Sequence, residues 1–208
     1  PSKTFSGYGL GWDIFNYHGH KVVNHGGGYD GFISKVALVP EENLGIVILT
    51  NTNTWITAPL TYQILDEFLS DSKNKNDWSK FYLDIKNQVD EADAADLKKL
   101  EESQVLDTKT SLDIKEYEGT YNSEMYGDLT LRAIGDQLAF QFEPTPIFRG
   151  TIRHWHYDTF RLNWGTQMML PSGFMTFIIN AEGKVAEVKV DVPNPDFDFT
   201  ELEFKKIE

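Results

Sequence analysis

The first part of the chain alternates short apolar runs with glycine-rich or polar breaks. The runs read YGLGWDIF, KVVNH, FISKVALVP and LGIVILTN, and the breaks lie at 16–20, 26–31 and 41–43. Runs of this length between turn residues predict the strands of an antiparallel meander. The segment LGIVIL is apolar at both odd and even positions, which is typical of a strand that is covered on both faces.

A first helix is predicted to follow directly and to cover one face of this meander. Thr57 is the predicted cap and Pro59 lies in the first turn. The apolar face has a spacing of 3.6 residues and consists of Leu60, Ile64, Leu65, Phe68 and Leu69. The second cover that LGIVIL implies is missing from this sequence.

A second helix is predicted after the polar break at 71–76. Asp77 is the predicted N-cap of this helix, and the helix is predicted to run to about Gln104. The helix is strongly acidic and carries one apolar stripe, made of Trp78, Phe81, Tyr82, Ile85, Val89 and Ala92. We interpret it as a connector helix that packs on a neighbour through this stripe.

From Tyr117 onward the pattern changes to short strands with one apolar face. The predicted strands are 117–122, 128–134, 137–142, 148–155, 157–164, 173–180, 184–191 and 199–205. Gly135-Asp136 suits a tight hairpin. Phe199 and Phe204 differ in parity, which predicts a bulge or bend inside the last run. Eight consecutive antiparallel strands favour an up-and-down barrel, because closure removes the exposed edges of an open sheet.

These elements predict an α+β chain with three parts. Residues 1–71 form an antiparallel sheet with a helix, residues 72–112 form the connector helix and linker, and residues 113–208 form the eight-stranded barrel. The barrel suggests a second functional hypothesis, ligand binding, because an eight-stranded barrel can enclose one small apolar ligand. The side chains that would line such a cavity are Phe140, Phe142, Phe160, Trp164 and Phe177.

Composition narrows the partners of the chain. Its 32 acidic and 19 basic residues give a net charge of −13, and such a surface repels phosphate backbones, so nucleic acid is not expected as a partner. The longest apolar run, at 44–49, is far shorter than the roughly 20 residues of a membrane span, and none is expected. Cysteine is absent, which excludes disulfides and thiolate chemistry. No cofactor is implied.

The segment HGGGYDGFIS at 25–34 is the most informative in the chain. Gly26, Gly27 and Gly28 leave a β-type run without side chains, so a ligand or another chain can approach its N–H groups closely. His25 stands at the start of this bare stretch. On the pattern alone, a flexible hairpin loop with an incidental histidine remains the alternative.

Three segments between 7 and 70 resemble the end of the catalytic domain in the β-lactamase-like and penicillin-binding-protein-like serine hydrolases. They are GYGLGWDIF, NHGGGYDGFIS and KVALVPEENLGIVILTNTN, in the same order and spacing. The resemblance places His25, Gly26 and Gly27 in the family's Lys-Thr-Gly or His-x-Gly element. It implies that His25 contributes positive charge or a hydrogen bond beside the nucleophile. It also implies that the N–H of Gly28 is one of two oxyanion-hole donors.

The rest of the family's catalytic machinery is not found in a suitable place. The nucleophile of these hydrolases is the serine of a Ser-x-x-Lys element that precedes the His-x-Gly strand. Ser70-Asp71-Ser72-Lys73 fits the pattern but follows the strand, and we interpret the match as accidental. No Tyr-x-Asn element occurs.

We therefore expect the C-terminal portion of a serine hydrolase, a view that the start without Met supports. This chain should not turn over substrate alone. Its expected partner is the missing N-terminal hydrolase region or a second copy, and the intact protein would act on a small-molecule acyl substrate. The resemblance favours an extracytoplasmic location.

The second half also shows a resemblance. NDWSKFYL, YEGTYNS at 117–123 and HWHYDTFRLNW at 154–164 look like the lipocalin-like extension found behind some of these hydrolases. His154 and His156 lie two apart on one strand face and could supply two metal ligands, but no third is evident. We favour a structural role for them, with Asp158 able to orient one imidazole. The alternative function of the chain is a non-catalytic binding module, in which the barrel holds a small apolar ligand or mediates protein–protein contact.

Overall fold

The computed structural model describes residues 5–29, 31–70, 76–165, 170–194 and 197–207. The chain forms two compact units, Pro1–Lys99 and Leu100–Glu208. None of the described helices is long and apolar enough to cross a membrane.

The first unit contains a five-stranded antiparallel sheet in the order β1-β2-β3-β4-β5. The strands are β1 Ser6–Gly9, β2 Trp12–Tyr17, β3 His20–Tyr29, β4 Phe32–Val39 and β5 Leu44–Thr50. The predicted meander is confirmed, with two differences. The first run folds as two strands, because Leu10 and Gly11 adopt positive φ angles and reverse the chain. Residues 26–29, which were predicted as part of a break, continue β3.

Helix α1, Thr57–Leu69, packs on one face of this sheet. Its N-cap is Ile56 without a side-chain hydrogen bond, so the prediction that Thr57 caps the helix is wrong. The buried stripe is centred on Tyr62 and Leu65. Phe68, predicted to lie on the buried face, is 67% exposed because this stripe turns it away from the sheet.

The opposite face of the sheet is apolar and exposed. Val47 and Leu49 of β5 are 65% and 75% exposed, whereas Ile46 of the same strand belongs to the core shared with α1 and is buried. A strand with apolar residues at both parities thus has only one of its faces covered by the described residues. An exposed apolar face of this kind is typical of a surface that packs against another part of a protein.

Helix α2 spans Trp78–Glu102. The predicted cap is confirmed, since the Asp77 carboxylate accepts a hydrogen bond of 2.9 Å from the N–H of Lys80. The apolar stripe is buried only at its start, where Trp78 packs on Tyr62 of α1 with ring centroids 5.0 Å apart. Ala92, further along the predicted stripe, is exposed.

The second unit is a closed barrel of eight antiparallel strands, as predicted. The strands are β6 Gly119–Ser123, β7 Gly127–Ile134, β8 Gln137–Phe142, β9 Arg149–His156, β10 Thr159–Trp164, β11 Gly173–Ile179, β12 Val185–Asp191 and β13 Glu203–Lys206. Each pairs with the next in sequence, and β13 pairs with β6 to close the barrel. The predicted bend in the last run is a 3-10 turn at Phe199–Glu201, which brings both Phe199 and Phe204 into the core.

Aromatic side chains fill the described interior of the barrel. The five residues considered as a ligand-cavity lining are all 8% exposed or less. They pack against one another: the ring centroids of Phe140 and Trp164 are 5.3 Å apart, as are those of Phe160 and Phe177. Small barrels are commonly filled by their own side chains in this way.

Tyr117 anchors the segment that leads into the barrel. Its buried ring packs on Phe177, and its hydroxyl donates a 2.5 Å hydrogen bond to the Asp158 carboxylate. Burial and this hydrogen bond raise the pKa of the Tyr117 hydroxyl. Asp158 also accepts hydrogen bonds from the N–H and hydroxyl of Ser111, at 2.9 and 2.7 Å. The Asp158 carboxylate is thus hydrogen-bonded to Ser111 and Tyr117, and the orientation of an imidazole by Asp158 stays a prediction.

We expect Tyr117→Phe to lower the free energy of unfolding of the barrel by about 1–2 kcal/mol, because it removes a donor to a carboxylate that stays in place. The control is Tyr157→Phe, since Tyr157 is 57% exposed. Chemical denaturation of the full chain, followed by circular dichroism, measures both variants. Equal stabilities of the two variants would show that the Tyr117–Asp158 contact contributes nothing.

Candidate functional site

The second half of β3 lies at a margin of the sheet, although β3 is its middle strand. β2 pairs with β3 only as far as Asn24, which lies opposite Asp13, and no described residue continues the pairing on that side. β4 runs alongside β3 to Tyr29. His25–Tyr29 is therefore paired on one side and open on the other.

The alternation of the strand determines which amides face this opening. Tyr17 and His20 flank a two-residue turn, so they form a pair that exchanges both backbone hydrogen bonds. Even-numbered residues of β3 consequently direct their N–H groups toward the β2 side. The pairing of β3 with β4 shows no register shift, so the N–H groups of Gly26 and Gly28 point into the opening.

The three glycines keep this stretch free of side chains. None of them adopts a positive φ, so the backbone conformation does not itself require glycine. A Cβ at Gly27 would lie 3.1 Å from the Ser34 hydroxyl, and one at Gly28 would lie 3.2 Å from the Ile33 side chain. Glycine at these positions instead allows another group to approach the backbone closely.

His25 presents an exposed imidazole beside the open amides. Its neighbour Asn24 is buried on the α1 side, so His25 projects from the opposite, uncovered face. The Tyr8 hydroxyl lies 3.5 Å from Nε2 of His25. The Trp12 ring meets the imidazole edge to face, with centroids 6.5 Å apart. No role was predicted for Tyr8 and Trp12. Both lie in the GYGLGW segment that forms part of the family resemblance, and this segment could have pointed to them.

A concavity of about 360 Å³ lies next to the glycines on the sheet. Its lining includes Gly27, Gly28, Tyr29, Phe32 and Leu49. Tyr29 and Phe32 are 82% and 59% exposed. The open amides therefore border a largely apolar surface with room for a group the size of an amino-acid side chain.

A buried carboxylate fixes the elements behind this site. Asp66 of α1 is 2% exposed and accepts hydrogen bonds from the Tyr17 hydroxyl, the Trp78 indole at 2.6 Å, His18 at 3.0 Å and Asn76 at 3.4 Å. Burial by itself raises the pKa of this carboxyl, but the four hydrogen bonds outweigh it and hold the pKa below its ordinary value. This cluster joins β2, the hairpin turn at 18–19, α1 and the start of α2, and it was not predicted from the sequence.

The remaining candidate residues do not form a second site. His154 Nε2 lies 3.0 Å from the Tyr157 carbonyl oxygen, and Nδ1 of His156 accepts from the N–H of Val105 at 3.3 Å. Among the residues that the structure describes, no group of three potential ligands could hold a metal. Ser70 follows the end of α1 as its C-cap, and residues 71–73 of the Ser-x-x-Lys match lie outside the described residues.

Comparisons with known proteins divide the chain in a similar way. The family model Beta-lactamase matches residues 1–66, and the model Domain of unknown function (DUF3471) matches residues 103–206. The chain is 37% identical over 98 residues to "Unguisins hydrolase ungD'" from Aspergillus campestris (strain IBT 28561), covering 44% of this chain and 18% of that protein. It is 32% identical over 94 residues to "Unguisins hydrolase ungD" from Aspergillus violaceofuscus (strain CBS 115571), covering 43% and 17%. The chain thus spans less than a fifth of the length of either relative.

Among solved structures, the C-terminal domain of penicillin binding protein Rv0907 aligns with a TM-score of 0.37 and 21% identity, over 48% of this chain and 88% of that one.

The five-stranded sheet and the family-model match over residues 1–66 define the class of the first unit: it is a β-lactamase-like region. The second unit is an eight-stranded barrel. With half of its length matched, the chain belongs to the DUF3471 family.

Proposed function

We propose that the first unit forms one wall of an acyl-transfer site in a longer serine hydrolase that acts on peptides, amides or esters. The nucleophilic serine and its Ser-x-x-Lys and Tyr-x-Asn elements would come from a region that precedes the β3 strand in that hydrolase. The names of the two hydrolase relatives support hydrolysis as the reaction class.

One observation carries this proposal: the N–H groups of Gly26 and Gly28 point out of an open strand margin beside an exposed His25. Acyl transfer develops negative charge on the carbonyl oxygen of the substrate. Fixed backbone donors stabilise that charge without reorganising during the reaction. In this arrangement the Gly28 N–H is one of two oxyanion donors, and His25 supplies positive charge or a hydrogen bond beside the nucleophile.

The uncovered sheet face supports the view that the unit is completed by another element. Val47 and Leu49 would be buried by the missing N-terminal hydrolase region or by a second copy of the chain. We favour the N-terminal region, because it would cover this face and bring the nucleophile to the margin of β3 in a single step. The filled barrel interior favours this reading over a module that stores an apolar ligand.

The chain by itself is expected to show only background hydrolysis of a fluorogenic ester or of nitrocefin, because it lacks the attacking hydroxyl. The longer hydrolase, assayed in parallel at the same concentration, is the matched positive control. Turnover by the 208 residues alone, abolished by a serine-directed phosphonate, would refute the proposal.

A further inference from the structure

The arginines of the chain are concentrated on neighbouring strands of the barrel. All four arginines of the chain, Arg132, Arg149, Arg153 and Arg161, lie on β7, β9 and β10, in a protein with a net charge of −13. Arg161 is ion-paired with Glu101 and lies over the Trp155 ring. The other three guanidinium groups have no acidic partner within the described ranges.

Arg132 and Arg149 share the outer face of three adjacent strands. Arg132 pairs with Ala139 across β7 and β8, and Ala139 pairs with Thr151 across β8 and β9. Arg149 lies two residues from Thr151 and therefore on the same face. Leu138, the neighbour of Ala139 on β8, is fully buried inside the barrel. Because side chains alternate along a strand, Ala139 and the two arginines face outward. The two arginines flank the small side chain of Ala139.

These side chains border a shallow groove of about 690 Å³. Its lining includes Thr130, Arg132, Ala139, Gln141, Arg149 and Thr151. Glu143 also borders it, but its carboxylate accepts from the Thr130 hydroxyl at 2.8 Å and the Gln141 amide at 3.3 Å. The one local acid is thus engaged by neutral donors, and both guanidinium groups are available to an external ligand.

We propose that this groove binds an acidic peptide segment that carries at least two carboxylate side chains. A guanidinium group matches a carboxylate with two parallel hydrogen bonds, which gives both charge and geometric complementarity. Arg132 and Arg149 lie two strands apart, on β7 and β9, and are offset by two residues along the strand direction. These displacements place their Cα atoms roughly 12 Å apart. That span fits two side chains of an extended peptide better than one small anion. The inference concerns the barrel alone and does not depend on the proposed hydrolase function.

Fluorescence anisotropy of the full chain with a fluorescein-labelled peptide of four glutamates between glycines tests this inference. At about 0.15 M salt long-range repulsion by the acidic protein is screened beyond roughly 8 Å, so binding reports local contacts. We expect saturable binding, no binding of the glutamine analogue, and at least a roughly tenfold weakening in the double variant R132Q/R149Q. The matched control R153Q removes an outward arginine on the same strand, outside the groove, and should stay within about twofold.

The charge-reversed variant R132E/R149E separates loss of binding from loss of fold. It should lose the glutamate peptide and gain binding of the corresponding lysine peptide. Failure of the unaltered chain to bind the glutamate peptide would overturn the inference. So would equal weakening by R153Q, which would indicate a diffuse charge effect. Displacement of the peptide by inorganic phosphate at the same concentration would show a site for simple anions instead.

Discussion

Replacement of Asp66 by Ala is expected to lower the free energy of unfolding of the first unit by about 4 kcal/mol, because it leaves the buried Tyr17 hydroxyl and Trp78 indole without an acceptor. Each unsatisfied buried donor costs about 1–3 kcal/mol, and loss of the weaker contacts adds to this. Because Trp78 begins α2, the start of that helix should also detach from α1. Urea unfolding of the full chain, followed by tryptophan fluorescence, measures the change.

The control for this prediction is Asp84→Ala on the exposed face of α2. Within the described part of the chain Asp84 pairs with Lys80, an i,i+4 contact between exposed side chains, so the expected change is below about 0.5 kcal/mol. The Asp66 contribution should also depend on pH. Its folded-state pKa is depressed, so the contribution is present above the unfolded pKa of about 4 and is lost as the pH falls through the lower folded value. A difference between the unaltered chain and Asp66→Ala that stays constant down to pH 2 would contradict this account.

In the proposed longer hydrolase, His25→Ala is expected to lower kcat by about a hundredfold or more, which is the range for loss of one positioned proton-transfer or charge-stabilising group. The side chain is exposed and its contacts with Tyr8 and Trp12 lie at the surface, so the fold should tolerate the change. His25→Lys should recover part of kcat if the imidazole acts through positive charge, as the Lys-Thr-Gly form of the family element implies. Steady-state kinetics with an ester substrate measure both variants.

His20→Ala provides the matched control, because His20 lies at the other end of β3 and contacts Glu42 at 3.1 Å. Its kcat should remain within about twofold of the unaltered enzyme, as for surface changes away from special features. If His25→Ala and His20→Ala had the same activity, the β3 margin would not be part of the reacting site.

The barrel was predictable from the sequence because its strands obey a local rule. Leu138, Phe140 and Phe142 alternate with polar or small residues, and their strand begins directly after a turn of Gly135 and Asp136. Such information lies within a few residues of each strand. The run of glycines beside His25 is equally visible in the sequence, but the pattern alone also fits a flexible loop, and it was the family resemblance that singled out His25–Gly28 as a site.

The features that were missed depend on long-range contacts or on unusual local conformations. The hydrogen bonds to Asp66 come from residues up to 49 positions away, and an aspartate in an amphipathic helix carries no sign of burial. The split of the first run needed a positive φ at Leu10, which a leucine rarely adopts. The orientation of Phe68 was set by the part of α1 that contacts the sheet, which helical periodicity alone does not determine.

The most direct test of the central claim is a crystal structure of the longer hydrolase with a boronate or phosphonate bonded to its nucleophilic serine. We expect one oxygen of the trapped group to lie about 2.7–3.1 Å from the backbone nitrogen of Gly28, with the His25 side chain bordering the same cleft. An adduct whose oxygen contacts other donors, with Gly28 remote from the reacting atoms, would contradict the assignment of the β3 margin to acyl transfer.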